Sequence, residues 1–277
     1  MNLAVDIGGT WTRACIFDDF EVQKTFKASS QEVGLAKFIE NILEKKTDIK
    51  TIGISYAGQV QNGIIIDSPN IKVDIANIKE YFQTKFDIEL FIENDLTCAA
   101  LAEAKYLKKD YICVLHVGTG LGLGVIDNGR ILKGYSNLSA EIGHIPYKKT
   151  PLTCGCGREN CIELFASGCG IKKWIEYLGL TCKPTLEALK LEKDGKNIAH
   201  EFEIALSSAI GTVITLYNPQ ILVLGGGVID ANPYLLDIIK SKIKSYTLKP
   251  TLKDTKIIIS SLKDAPLIGA KLLKDKS

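Results

Sequence analysis

Between positions 141 and 163 the chain gathers Glu141-Ile-Gly-His144 and Cys154-Gly-Cys156-Gly-Arg-Glu-Asn-Cys161-Ile-Glu163, which places three thiols and an imidazole between two carboxylates. Thiols at C-x-C-x4-C spacing, with a histidine ten residues upstream, suit a tetrahedral zinc site. Three thiolates and one imidazole complete four-coordination, so Glu141 and Glu163 flank the ligands without being ligands. His116 falls in a buried strand pattern and His200 on a helix face, which leaves His144 as the fourth ligand beside Cys154, Cys156 and Cys161. The competing chemistry is a reactive or disulfide-forming loop. With no position left open for an activated water, the zinc reads as structural.

A second kind of chemistry lies in the glycines. Asp6-Ile-Gly8-Gly9-Thr10 sets a carboxylate at a strand end, two glycines where the backbone turns, and then a hydroxyl. Such a turn makes a phosphate cradle of backbone N–H groups and Thr10, with Asp6 placed to hold a magnesium ion or its water; an ordinary hairpin has the same form. It is neither a Walker A loop nor a Rossmann fingerprint, since Thr12 to Phe17 continues as a strand where those motifs need a helix. Gly118-Thr119-Gly120 repeats the device, and Gly225-Gly226-Gly227 offers a third point of close approach, suited to a flat nucleoside. Asn94-Asp95 ends a strand and begins a helix, where Asp95 is either a helix cap or a group at a ligand-binding strand end.

The elements that must carry these groups follow from periodicity. Asn2 to Asp6 and Thr12 to Phe17 read as strands joined by the glycine turn, with Glu21 to Lys27 a third strand and Glu32 to Lys45 an amphipathic helix. Thr51 to Ser55 and Leu90 to Glu93 read as strands, and Leu96 to Leu107 as a helix. Then the opening returns: Tyr111 to Val117, a glycine-threonine turn, and Leu121 to Ile126. Two lobes of one topology are implied, a repeat too long for a solenoid. A long helix from Asn197 to Tyr217, stopped by Asn218-Pro219, precedes the buried strand Ile221 to Leu224, and a last helix spans Ala265 to Lys274.

Bulk properties agree with two lobes and argue against several classes of partner. A chain of 277 residues is long for one core, and a net charge of +2 with interleaved signs argues against nucleic acid or lipid surfaces as partners. No window reaches the roughly 18 apolar residues of a membrane span, and the opening residues lack a signal peptide's pattern, so a cytoplasmic protein is expected. Eight cysteines are too sparse for a disulfide scaffold, and Cys15, Cys98, Cys113, Cys169 and Cys182 read as small buried hydrophobes.

Taken together, Asp6-Ile-Gly-Gly-Thr10 with Arg13, Glu93-Asn-Asp95, Gly118-Thr-Gly-Leu-Gly122, Glu141-Ile-Gly-His144, the Cys154 to Glu163 block, Asn218-Pro219 and Leu267-Ile-Gly-Ala270 closely resemble the ROK family. That family contains bacterial sugar kinases and sugar-responsive repressors of the actin-like ATPase superfamily, and the resemblance runs nearly end to end. It implies an α/β fold of two actin-like (ribonuclease H-like) lobes with duplicated βββαβα topology. Residues 1–112 plus 264–277 would form the N-terminal lobe, and 113–263 the C-terminal lobe with the zinc loop. It further implies that Asp95 is the catalytic base for a hexose hydroxyl. Gly58, Asn94, Asp95, Glu141, His144 and Glu163 would meet the sugar. Asp6, Gly8, Gly9, Thr10, Gly118, Thr119 and Gly120 would serve the ATP phosphates, and Gly225, Gly226 and Gly227 the adenosine side. ATP, Mg2+ and Zn2+ are the implied cofactors, and a homodimer is common in the family.

Three positions depart from the family pattern: Trp11 where lysine is frequent, Ala57 where proline precedes Gly58, and Asn160 where glycine is common. None removes a catalytic group. The reading that results is a glucokinase-type hexose kinase acting at the 6-hydroxyl. Kinases of N-acetylmannosamine, N-acetylglucosamine, fructose or allose share the motif set. A non-catalytic sugar sensor is the alternative from another class; the DNA-binding helices of the family's repressors lie ahead of the first strand, which here begins at residue 2.

Overall fold

The computed structural model describes residues 1–18, 21–46, 48–67 and 71–276. Its strands are β1 Asn2–Ile7, β2 Trp11–Asp18, β3 Glu21–Ser29, β4 Thr51–Tyr56, β5 Gln59–Gln61, β6 Ile64–Asp67, β7 Glu89–Asn94, β8 Ile112–Val117, β9 Leu121–Asp127, β10 Arg130–Ile131, β11 Ile221–Gly225 and β12 Lys256–Ile259. Its helices are α1 Leu35–Leu43, α2 Ile78–Phe86, α3 Asp95–Leu107, α4 Gly168–Tyr177, α5 Leu186–Leu191, α6 Gly195–Tyr217, α7 Gly227–Ala231, α8 Leu235–Lys242, α9 Lys249–Asp254 and α10 Ala265–Leu272. The chain forms two compact units, one of Met1–Leu107, Arg130–Ser139 and Leu262–Ser277, the other of Lys108–Gly129 and Ala140–Ser261.

The first unit holds a five-stranded sheet ordered β3-β2-β1-β4-β7, and the second holds strands ordered β9-β8-β11-β12. With the β5–β6 hairpin set aside, β2-β1-β4-β7 of the first unit and β9-β8-β11-β12 of the second share one order, an antiparallel hairpin followed by parallel strands, so the duplication read from the two glycine hairpins is present in the topology. Parallel strands covered on both faces need apolar residues throughout. Thr51–Tyr56 is buried at all six positions, and the hydroxyls of Thr51 and Ser55 are hydrogen-bonded, to Asn2 and Asp6 respectively. On one face, Leu35, Ile39 and Phe82 of α1 and α2 close over Leu3, Val5, Ile52 and Ile54. On the other, Leu267 and Ala270 of α10 meet Ala4, Cys15 and Phe17. Here glycine allows the backbones to approach: a Cβ at Gly53 would stand 1.9 Å from the Ala270 carbonyl oxygen, and one at Gly269 1.8 Å from that of Cys98.

Three helix starts differ from the sequence expectation, α6 beginning at Gly195 rather than Asn197. The first helix begins at Leu35 rather than Glu32 because its cap is remote: Asp74 accepts from the backbone N–H groups of Ala36 (3.0 Å) and Lys37 (2.9 Å), while the N-cap residue, Gly34, has no side chain to offer. Helix α3 begins at Asp95, and it is Asn94 that takes the capping place, its Oδ1 accepting from Leu96 N at 2.9 Å. The long helix α6 ends where expected, with Asn218 in the left-handed region at φ 41°.

Candidate active site and metal centre

Register builds the first half of the site. In the first unit Ile7, Tyr56 and Asn94 lie in one row across β1, β4 and β7, so Gly8, Ala57 and Asp95 follow together at the carboxyl edge of the sheet. That edge is where α/β sheets bind ligands. One row below, Asp6, Arg13 and Ser55 are cross-strand neighbours. Ser55 Oγ donates to Asp6 Oδ1 at 2.9 Å, and the Arg13 guanidinium pairs with Asp6 Oδ2 at 2.7 Å and also with Asp264, just ahead of α10. Both Asp6 oxygens are therefore engaged, which suits contact with a magnesium ion through that ion's water rather than direct ligation.

Asp95 follows at the top of β7. It keeps a partly exposed edge, but protein surrounds the carboxyl on its remaining sides. That desolvation, with the charge of Asp6 adding to it, pushes its pKa up to about 7, against the opposing pull of the Leu96 and Asp95 N–H groups and the Asn94 side chain. Asn94 is fixed in turn by donating from Nδ2 to the Gly58 carbonyl at 3.2 Å. Neighbouring Glu93 is buried and bound by Lys133 and by Asn137 Nδ2, the latter at 2.9 Å. Beside the Gly8–Thr10 turn, Trp11 is exposed and carries the Lys27 ammonium 3.8 Å from its ring centre.

In the second unit, Gly225 pairs with His116 of β8, so Gly118–Gly120 and Gly225–Gly227 meet at the carboxyl edge of that sheet. A Cβ at Gly118 or Gly227 would find no protein atom within 4 Å, so neither glycine is dictated by internal packing. Gly120 is different. A Cβ there would sit 2.7 Å from Glu163 Oε2, and one at Gly143 3.2 Å from the same oxygen. Glu163 fills this slot and accepts from Leu121 N at 3.0 Å.

The cysteine block folds as a knuckle. Cys154 N donates to the Arg158 carbonyl at 2.7 Å, and Gly157, at φ 85°, makes the turn that brings Cys156 back. The donor atoms of His144, Cys154, Cys156 and Cys161 all lie within 4.8 Å of one another. His144 Nδ1 is 3.7 Å from Cys154 Sγ, and Cys156 Sγ is 3.4 Å from Cys161 Sγ. Tetrahedral zinc with ligands at ~2.0 to 2.3 Å needs edges of about 3.4 to 3.8 Å, so this donor set fits one zinc ion. The ring nitrogen facing the thiols is Nδ1, which assigns Nε2 to any second partner. The Arg158 side chain hydrogen-bonds Cys156 and lowers its thiol pKa to about 6, favouring the thiolate a metal requires. Arg158 also donates to the His144 carbonyl at 2.8 Å.

The structure thus gathers Asp6, Gly8, Asn94 and Asp95 in one unit, and Gly118, Thr119, Gly120, His144, Glu163 and the three cysteines in the other. Glu141 precedes the short 3-10 turn that carries His144. Sequence reasoning passed over Ser55, Lys133, Asn137 and Asp264. Their partners are remote in sequence, 49 residues away for Ser55, 40 for Lys133, 44 for Asn137 and 251 for Asp264, so no local motif marks them.

An α/β chain of two units with one shared strand order, glycine turns at the strand ends and a carboxylate beside them, has the actin-like ATPase fold. The chain belongs to the ROK family, whose model matches residues 2–277. It is 26% identical to the glucokinase of Thermotoga maritima over 97% of this chain and 95% of that protein. It is 27% identical to the xylose repressor of Bacillus spizizenii over 84% of this chain and 62% of that one. The ROK hexokinase structure from Thermus thermophilus superposes with a TM-score of 0.82 at 23% identity, covering 98% of this chain and 96% of that one. No helix among the described residues is long and apolar enough to cross a membrane.

Proposed function

We propose that this protein is a cytoplasmic ATP-dependent hexose kinase, acting on glucose at the 6-hydroxyl, with Asp95 as the base. The observation that carries this reading is the Asp95 carboxyl at the carboxyl edge of its sheet, with a pKa raised to about 7 by desolvation and by Asp6. A base poised there is ionised enough to accept a proton near neutrality and basic enough to hold it. Asp95 takes the proton of the sugar hydroxyl as that oxygen bonds to the γ-phosphorus, the bond from that phosphorus to the bridging oxygen breaks, and ADP leaves with the electron pair. Because phosphoryl transfer passes through a loose transition state, Asp95 contributes by orienting the hydroxyl as well as by basicity.

Gly58, Asn94, Glu141, His144 and Glu163 bind the sugar's hydroxyls, the carboxylates as acceptors. Asp6, Gly8, Gly9, Thr10 and Gly118 to Gly120 serve the phosphates, and Gly225 to Gly227 the adenosine. Mg2+ bound with ATP supplies charge neutralisation on the phosphates, Asp6 reaching it through water. Zinc on His144, Cys154, Cys156 and Cys161 supplies structure, holding His144 and Glu163 in place. The similarity to a glucokinase and a hexokinase supports the kinase reading, and that to a xylose repressor favours a second one, a sugar sensor without catalysis.

A coupled ADP-release assay over glucose, N-acetylmannosamine, N-acetylglucosamine, fructose and allose, with calorimetric sugar binding alongside, tests the choice. Turnover on at least one sugar is expected, lost in Asp95→Asn while sugar binding persists. Binding without turnover on any of them would establish the sensor instead.

A further inference from the structure

Glu163 stands between two features of the second unit that have separate roles in the proposed function. Toward the metal-ligand cluster, its Oε1 lies 3.6 Å from Cys154 Sγ, and its backbone follows Cys161 by two residues in the short turn Ile162–Leu164. Toward the glycine turn, its Oε2 accepts from the backbone N–H of Leu121, the residue after Gly120, at 3.0 Å. The carboxylate has little room to move. Gly120 and Gly143 leave it a slot that a single added methyl on either would narrow to 2.7 or 3.2 Å.

A second path runs through the backbone. Ser167 Oγ donates to the Glu163 carbonyl at 2.8 Å and accepts from Gly170 N at 3.0 Å, capping α4. The first N–H groups of that helix are spent on the glycine turn: Gly168 N donates to the Gly118 carbonyl and Cys169 N to the Thr119 carbonyl, each at 2.8 Å. The packing is equally close, since a Cβ at Gly168 would stand 2.8 Å from the Gly118 carbonyl oxygen, and one at Gly170 2.6 Å from that of Leu164. The Gly118–Gly120 turn is therefore held by its carbonyls and by the following N–H, and both attachments lead back to Glu163. Close-packed elements of this kind transmit a shift rather than absorb it.

We propose that Glu163 is a positioning residue that couples occupancy of the His144, Cys154, Cys156 and Cys161 metal site to the affinity of the Gly118–Gly120 turn for nucleotide phosphates. The coupling rests on the reading of that turn as a phosphate site. With metal bound, Cys154 is fixed against the Glu163 carboxylate and Cys161 fixes the backbone two residues before it, the carboxylate stays on Leu121 N, and the turn keeps one shape. Without metal the two cysteines are released and the slot loses a wall. Coupling of this kind is reciprocal, so nucleotide binding strengthens metal binding by the same factor.

The experiment titrates ADP, without magnesium, into metal-loaded and metal-stripped full-length protein by calorimetry, for wild type and Glu163→Ala. Stripping is expected to weaken ADP about tenfold in wild type, the scale of one hydrogen bond to a charged group. In Glu163→Ala, ADP binds about tenfold more weakly and stripping changes nothing further. Equal ADP affinity in loaded and stripped wild type overturns the proposal, as does an undiminished effect of stripping in the variant. ADP that fails to bind even the loaded wild type refutes the phosphate reading itself, a separate result. Should the stripped protein unfold, zinc affinity measured by equilibrium competition with a chelator, with and without ADP, tests the same coupling from the other side. ADP is then expected to raise zinc affinity about tenfold in wild type and leave it unchanged in Glu163→Ala; no rise in wild type overturns the coupling.

Discussion

Asparagine at position 95 is nearly isosteric with the native carboxyl and can still accept from Leu96 N, so Asp95→Asn removes the charge and the proton site with little change of shape. The folded carboxyl titrates near about 7 against 3.8 ordinarily, a difference of about 3 pH units. At 1.36 kcal/mol per unit the ionised form costs the fold at most about 4 kcal/mol, and solvent at its exposed edge reduces this to about 2. The sign follows from proton binding: the folded state holds a proton that the unfolded chain gives up near pH 4. Asp95 therefore contributes its full stability below that pH, loses it as pH rises through about 7, and contributes nothing further above. In chemical denaturation at pH 5 and pH 8, the stability of wild type minus that of Asp95→Asn should fall by about 1 to 3 kcal/mol between the two. The same proton should govern turnover. Wild-type kcat/KM is expected to rise with unit slope to a plateau near pH 7, and Asp95→Asn to lose roughly 10²- to 10⁴-fold in kcat together with that limb. A stability difference independent of pH, or a variant that keeps the acid limb, would refute the reasoning.

Elemental analysis of the purified protein should find about one zinc per chain, sharply reduced in Cys156→Ser; a metal-free preparation with full activity would remove zinc from the account. Ala140, at φ 65°, occupies the left-handed region where a Cβ is strained, so Ala140→Gly should stabilise the protein by about 0.5 to 1 kcal/mol and raise its melting temperature by about 1 to 3 °C. Calorimetry showing a lower midpoint would count against strain at that residue. Gly269→Ala sets a methyl 1.8 Å from the Cys98 carbonyl oxygen, forcing α10 off α3, and denaturant unfolding should show a loss of more than about 2 kcal/mol.

Much of this protein is written in short stretches of sequence. The short Ile-bearing strand Thr51–Tyr56, the stripe of α6 with its Asn218 stop, and the glycine hairpins after β1 and β8 are signals carried within a few residues, because backbone periodicity and turn chemistry are local. The repeated hairpin was enough to expect two lobes of one topology, and the C-x-C-x4-C spacing was enough to expect a single cluster of metal donors, since a tight knuckle needs no distant partner.

The polar side chains at the strand ends were decided elsewhere. Nothing near Gly34 announces that Asp74 caps its helix, and nothing near Asp6 announces that it will share Arg13 with Asp264. Asp95 shows the division most plainly: the sequence permitted both a helix cap and a base, and the fold shares the Leu96 N–H between Asn94 and Asp95 while leaving the Asp95 carboxyl desolvated beside Asp6. Glu163, in sequence a carboxylate flanking the metal ligands and expected at the sugar, also accepts from the backbone of a turn more than forty residues upstream. Local sequence determined the elements and the chemical groups they carry. Which groups share a hydrogen bond, and how far each is removed from water, depended on strand register and on the close approach of glycine-lined backbones, and those are properties of the tertiary structure alone.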